Sequence, residues 1–240
     1  MSLDNREIAQ LQFAKQSYAV PGKRTNIGTF TYDPDLSDID TAVWHDATNK
    51  RTHVSNRGSV SARDWLVSDA QILTGMEDRG SRFKKAVNTT KQAHDKFGFD
   101  VETSGHSLGG KLSAFTTEKL GNEPWYKGGT GFNQGNSSIG RDAIWSKQRR
   151  ECRGKNPPPY CNKQTNIKEE GDYISERNIA CDVMTFGLGG RLCRKGDAFG
   201  KTKVLKQRRG RLSRAVRAVV PQLRYLDNAR AHSINTFSKQ

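Results

Sequence analysis

Apolar positions recur at helical spacing over residues 5–19, where Ile8, Leu11 and Ala14 form one stripe. The pattern then turns strand-like. Ile27 to Tyr32 and Thr41 to His45 are rich in β-branched and aromatic residues. The turn-forming run Asp46–Lys50 separates the second from Thr52–Asn56, which predicts a hairpin within 41–57. The strongest helix is Ser81 to Phe97, because Phe83, Val87, Thr90, His94 and Phe97 share a face and Gly98 stands where a glycine ends a helix. Phe97 to Thr103 reads as a short strand, and Leu108, Leu112 and Phe115 as one face of the helix after it. Gly129 to Phe132 is a further strand, residues 136–163 a basic, irregular excursion, and Asn166–Lys168 the end of a strand closing at Glu169–Asp172. Leu212, Val216, Val219 and Val220 mark a short helix that Pro221 stops. Strands alternating with helices predict an α/β architecture, a mostly parallel central sheet flanked by helices, in a single domain over 1–240.

Composition adds two constraints. Of the 240 residues only 33% are hydrophobic, so a modest core under a heavily solvated surface is expected. The net charge of +15 predicts attraction to polyanions: nucleic acid, anionic lipid surfaces or acidic proteins. The charge is concentrated at 191–217, where Arg191, Arg194, Lys195, Lys201, Lys203, Lys206, Arg208, Arg209, Arg211, Arg214 and Arg217 face one acid, Asp197. Arg208, Arg209, Arg211, Arg214 and Arg217 are the candidate polyanion contacts. The tract has only Phe199 for base stacking, which argues against specific single-strand recognition. The N-terminus has no apolar signal region and no apolar run is long enough to span a bilayer. An intracellular protein is expected, with attachment to a membrane surface or to an assembly such as a virion left open. Cys152, Cys161, Cys181 and Cys193 form no C-x-x-C pair, so a zinc site is not expected. Free thiols in a reducing compartment are the expectation, a Cys152–Cys161 bridge requiring an oxidising one.

One segment carries chemistry. Gly105-His106-Ser107-Leu108-Gly109 is a G-x-S-x-G lying between a predicted strand and a predicted amphipathic helix, the context in which a tight turn holds a serine hydroxyl up as a nucleophile. Such a serine needs a base, an acid to orient the base, and donors for the oxyanion. Only one histidine, His232, follows Ser107. Among the downstream acids Asp172 is best placed, just beyond a predicted strand end, with Asp182 and Asp197 in reserve. No cofactor is expected. His106 is read as a residue that packs or supports the site from behind, and not as an acid–base group.

Three further runs stand in order around the elbow. They are Asn56-Arg57-Gly58-Ser59 continuing to Asp64-Trp65, Gly171-Asp172-Tyr173-Ile174-Ser175, and His232-Ser233-Ile234-Asn235-Thr236-Phe237. Together the four motifs resemble the class 3 lipases, the family of small fungal triacylglycerol lipases and their intracellular relatives. The resemblance implies an α/β-hydrolase fold, here with a basic C-terminal insertion, and a triad of Ser107, Asp172 and His232. It implies an oxyanion hole from the Leu108 amide and from Ser59, with Asp69 able to hydrogen-bond the Ser59 hydroxyl. It also implies a lid near 62–69, where Trp65, Leu66 and Val67 give an apolar face. The expected activity is hydrolysis of a carboxylic ester, a lipid ester first, with acyl transfer on the same triad left open. The alternative is a catalytically weak or inactive lipase-like protein with a structural or polyanion-binding role. Two features depart from the family: the strand before Arg57 is polar, His53-Val54-Ser55-Asn56, and neither the basic tract nor the Pro-rich loop at 156–160 has a counterpart.

Overall fold

The computed structural model describes residues 2–58, 81–134, 139–170, 198–206 and 234, and for 139–143 the backbone alone. Helix α1 (Asn5–Gln16) begins at Asp4, whose carboxylate accepts from the Glu7 amide while the Glu7 carboxylate accepts from the Asp4 amide. Leu11 and Ala14 of the predicted stripe are buried, joined by Phe13, whereas Ile8 stays exposed. Strands β1 (Thr31–Asp33), β2 (Thr41–Asp46), β3 (Arg51–Asn56), β4 (Asp100–His106), β5 (Tyr126–Phe132), β6 (Gln164–Glu169) and β7 (Lys201–Leu205) form one sheet in sequence order. The first three are antiparallel, β2 and β3 being the predicted hairpin with Trp44 opposite His53. From β3 onward every pairing is parallel. The carboxyl ends therefore share one edge, with Asn56 opposite Gly105, His106 opposite Phe132, and Glu169 opposite Leu205.

Alternation along the strands assigns side chains to two covered faces. On one, Val43, Val54 and Val101 pack with Ala93 of helix α2 (Ser81–Phe97). Phe83 and Ala86 of α2 meet Leu108, Leu112 and Phe115 of helix α3 (Leu108–Leu120). On the other face Ala42 and Trp44 pack on Phe13 and Phe30, and Leu11 and Ala14 of α1 pack on Phe132, Ile167 and Leu205. Small polar groups fill what the sparse apolar residues leave. Tyr126 OH lies 2.7 Å from Thr103 Oγ1 and 2.8 Å from Thr117 Oγ1, and Thr117 Oγ1 donates to Gln164 Oε1 at 3.0 Å. The polar end of β3 is tied in the same way. The buried His53 ring stacks on Phe13 and its Nε2 is 2.8 Å from Ser104 Oγ, while Ser55 Oγ donates to Ser104 O at 3.3 Å. The polar residues by which this strand departs from the family's pattern are thus held by hydrogen bonds.

The chain has the mixed, mostly parallel sheet with flanking helices that an α/β-hydrolase fold requires. Two expectations need correction. Within 136–163 the chain is not irregular: helix α4 spans Ile139–Glu151, and Trp145 on it is buried with Ala114, Ala198 and Phe199. Cys152 and Cys161 are not free thiols. They form a disulfide with Cα atoms 5.4 Å apart, the end of α4 and a 3₁₀ turn at Pro159–Asn162 bringing them together. Part of the basic tract is sheet, since β7 lies inside it and Lys203 pairs with Glu7 of α1. The predicted helix over 212–220 lies outside the described residues.

Candidate active site

The elbow forms where β4 ends and α3 begins. Ser107 takes φ 57° and ψ −123°, one of three non-glycine residues with positive φ among those described. Its amide donates to Phe132 O at 3.0 Å, and its carbonyl accepts the first helical bond, from the Lys111 amide at 3.2 Å. The flanking glycines are required because the end of β3 runs against the turn. A Cβ at Gly105 would overlap the Gly109 carbonyl and stand 2.8 Å from Asn56 O; one at Gly109 would overlap Asn56 O and stand 3.1 Å from the Arg57 carbonyl carbon. Ser107 does not cap its own helix with its side chain, and it is 6% exposed. Leu108 is the first residue of α3, so its amide belongs to the N-terminal turn, where backbone N–H groups lack helical partners and favour negative charge.

Three residues that sequence reasoning did not single out converge here. Tyr18 OH is 2.8 Å from Nδ1 of the buried His106 and lies against the Gly58 backbone, where a Cβ would overlap it. Burial pushes the Tyr18 phenol up to about 12, against the opposing pull of the Gly58 amide and the Arg57 and Arg82 charges. Arg82 donates to Arg57 O at 2.7 Å, and Asp40 lies 3.2 Å from Arg82 Nη2 and 3.3 Å from Arg57 Nη2. Tyr18, Asp40 and Arg82 are far apart in sequence, and no local pattern marks them.

Of the predicted site residues, Ser107 and Leu108 are placed side by side at the elbow. Ser59, Trp65, Leu66, Val67, Asp69, Asp172 and His232 lie outside the described residues, as do Arg208, Arg209, Arg211, Arg214 and Arg217. Their described neighbours have known positions. Gly58, which leads into Ser59, comes so close to Ser107 that a Cβ on it would stand 3.3 Å from Ser107 Cβ. Glu169, three positions before Asp172, ends β6 on the same edge as the elbow. Ile234, two positions after His232, packs on the cluster containing Phe132, whose carbonyl holds the Ser107 amide.

No protein-family model matches the chain, and no curated protein matches it in sequence. Solved structures do. A triacylglycerol lipase from Penicillium expansum superposes with a TM-score of 0.50 at 16% identity, over 86% of this chain and 82% of that one. A Rhizomucor miehei lipase in complex with its propeptide matches at 15% identity over 85% and 70% of the two chains, TM-score 0.48. The Lip2 lipase of Yarrowia lipolytica matches at 15% over 72% and 76%, TM-score 0.47. The likeness to the Penicillium enzyme shows the fold: this chain has the lipase-like α/β-hydrolase fold of the fungal triacylglycerol lipases its motifs resemble.

Proposed function

We propose that the protein is a serine hydrolase of carboxylic esters, lipid esters in particular, working through an acyl-enzyme on Ser107. The observation that carries the reading is Ser107 itself, a serine in a disfavoured backbone conformation at a strand-to-helix turn. In this reading Ser107 Oγ attacks the ester carbonyl carbon and its proton passes to His232, which Asp172 orients. The alcohol leaves with that proton, and a water molecule, deprotonated by His232, then releases the acid and restores Ser107. The carbonyl oxygen becomes negative in both steps, and the Leu108 amide and Ser59 are its donors. The positions of Gly58, Glu169 and Ile234 around the elbow support these assignments. Trp65, Leu66 and Val67 form the apolar cover for the acyl chain and Asp69 steadies Ser59. That all seven strands among the described residues join one sheet supports a single domain over 1–240.

A fluorophosphonate probe, which phosphonylates an activated serine, tests this directly. The wild-type protein is expected to be labelled and Ser107→Ala not, with ester hydrolysis falling at least about 10³-fold. A wild-type protein that stays unlabelled in native conditions overturns the reading and leaves a lipase-like protein with a structural or polyanion-binding role.

A further inference from the structure

Resting on the reading of Ser107 as nucleophile, we infer that Tyr18 is a positioning residue whose hydroxyl locks the end of β3, which leads into the oxyanion residue Ser59, onto the end of β4, which presents Ser107. The Gly58 backbone and the His106 ring meet at this hydroxyl. Gly58 passes so close that a Cβ there would overlap Tyr18 OH and stand 2.7 Å from His106 O. On its other side the phenol oxygen is 2.8 Å from His106 Nδ1, within hydrogen-bond distance of the ring. The result is a link from Gly58, by close packing, through Tyr18 and its hydrogen bond to the residue immediately before Ser107.

Tyr18 is itself held rigidly. Arg24, buried, donates to Ser17 O at 3.0 Å and to Ala19 O at 3.0 Å, clamping the backbone on both sides of Tyr18. The same guanidinium donates to Asp38 O and Thr41 O, which ties α1's exit to the start of β2. On the other side the Arg57 amide donates to Asp40 O at 2.8 Å, and Arg82 holds Arg57 O. Arg57, just before Gly58, is therefore held from the start of β2 and from α2, and Tyr18 supplies the link across to the elbow. The buried phenol stays protonated throughout the working pH range, so it holds a proton in place and exchanges none. A displacement of about 1 Å between an oxyanion donor and a nucleophile is enough to cost on the order of 10²-fold in rate, so the hydroxyl has consequences without touching substrate.

Tyr18→Phe removes the hydroxyl and keeps the ring. Per folded molecule, with thermal melts run in parallel, it is expected to slow fluorophosphonate labelling of Ser107 and kcat on a water-soluble ester by about 10- to 100-fold, with KM within about twofold. His106→Asn places an oxygen near the Nδ1 position and is expected to keep most of the rate, whereas His106→Leu loses it as Tyr18→Phe does. The double variant Tyr18→Phe/His106→Leu should be no slower than either alone, since both break one link. Wild-type kcat in Tyr18→Phe, or a raised KM at unchanged kcat, overturns the inference. An unlabelled wild-type protein retires the Ser107 reading and this inference with it. A labelled wild type with an unaffected Tyr18→Phe retires this inference alone.

Discussion

Ser107 occupies a conformation that costs a non-glycine residue about 1–3 kcal/mol, and the surroundings over-determine it. Its amide is bonded to Phe132 O, its carbonyl starts α3, and the backbone of Asn56 and Arg57 presses on the two glycines beside it. His53 shows the same logic in a charge-bearing group. Its ring is buried between Phe13 and Ser104 on the α1 face, and burial, with Arg51 and Arg6 adding repulsion, pulls it from 6.5 down to about 3. The folded state thus holds His53 neutral where the unfolded chain binds a proton. This contribution to stability is complete above pH ~6.5 and is lost as the pH falls toward ~3, at up to about 1.4 kcal/mol per pH unit. Denaturant titrations between pH 7 and pH 4 should show that slope in the wild type and a shallower one in His53→Gln, which keeps a hydrogen-bonding group near Ser104. Identical slopes in the two proteins would rule His53 out as the acid-sensitive group.

At the scale of elements, α4 and the turn after it owe their place to few contacts. Trp145 anchors the helix on Phe199 and Ala198, and the Cys152–Cys161 bridge closes the Pro-rich loop behind it. A bridge across so short a loop stabilises by about 2–3 kcal/mol through the unfolded chain. Cys152→Ser/Cys161→Ser should therefore unfold at a lower urea concentration than the oxidised wild type. Equal midpoints, or two more thiols titrating in the untreated wild type than in the double variant, would mean the bridge is absent in solution. The region also shows where sequence reading stops. Helix α2 was legible to its ends because Phe83, Val87 and Thr90 repeat at helical spacing and Gly98 turns the chain at φ 65°. The hairpin and the elbow were legible for the same reason, since their signals are local. Helix α4 was not, because its three arginines and one lysine hide a thin apolar stripe. Strand β7 read as a charge run because Lys201 and Lys203 alternate with Thr202 and Val204. The convergence of Tyr18 on Gly58 and His106 depends on how α1 crosses the sheet, which no stretch of sequence encodes by itself.

For the whole molecule, charge is the property that most exceeds what the fold requires. The net charge is +15, and among the described residues Lys147 and Arg150 of α4 stand exposed. Binding to anionic vesicles or to nucleic acid should weaken steeply as salt rises. Replacing Arg208, Arg209, Arg211, Arg214 and Arg217 with Gln should lower both the affinity and the steepness. Unchanged affinity and slope in that variant would remove the tract from the polyanion surface. The size of the slope carries a second message, through the ion pair between Lys203 and Glu7. A lysine that already has a carboxylate for its counterion brings no mobile anion with it and displaces little when a polyanion arrives. Lys203 therefore belongs to the accounting of the fold, where it fastens β7 to α1, and a count of basic residues in the tract overstates the number of ions exchanged on binding.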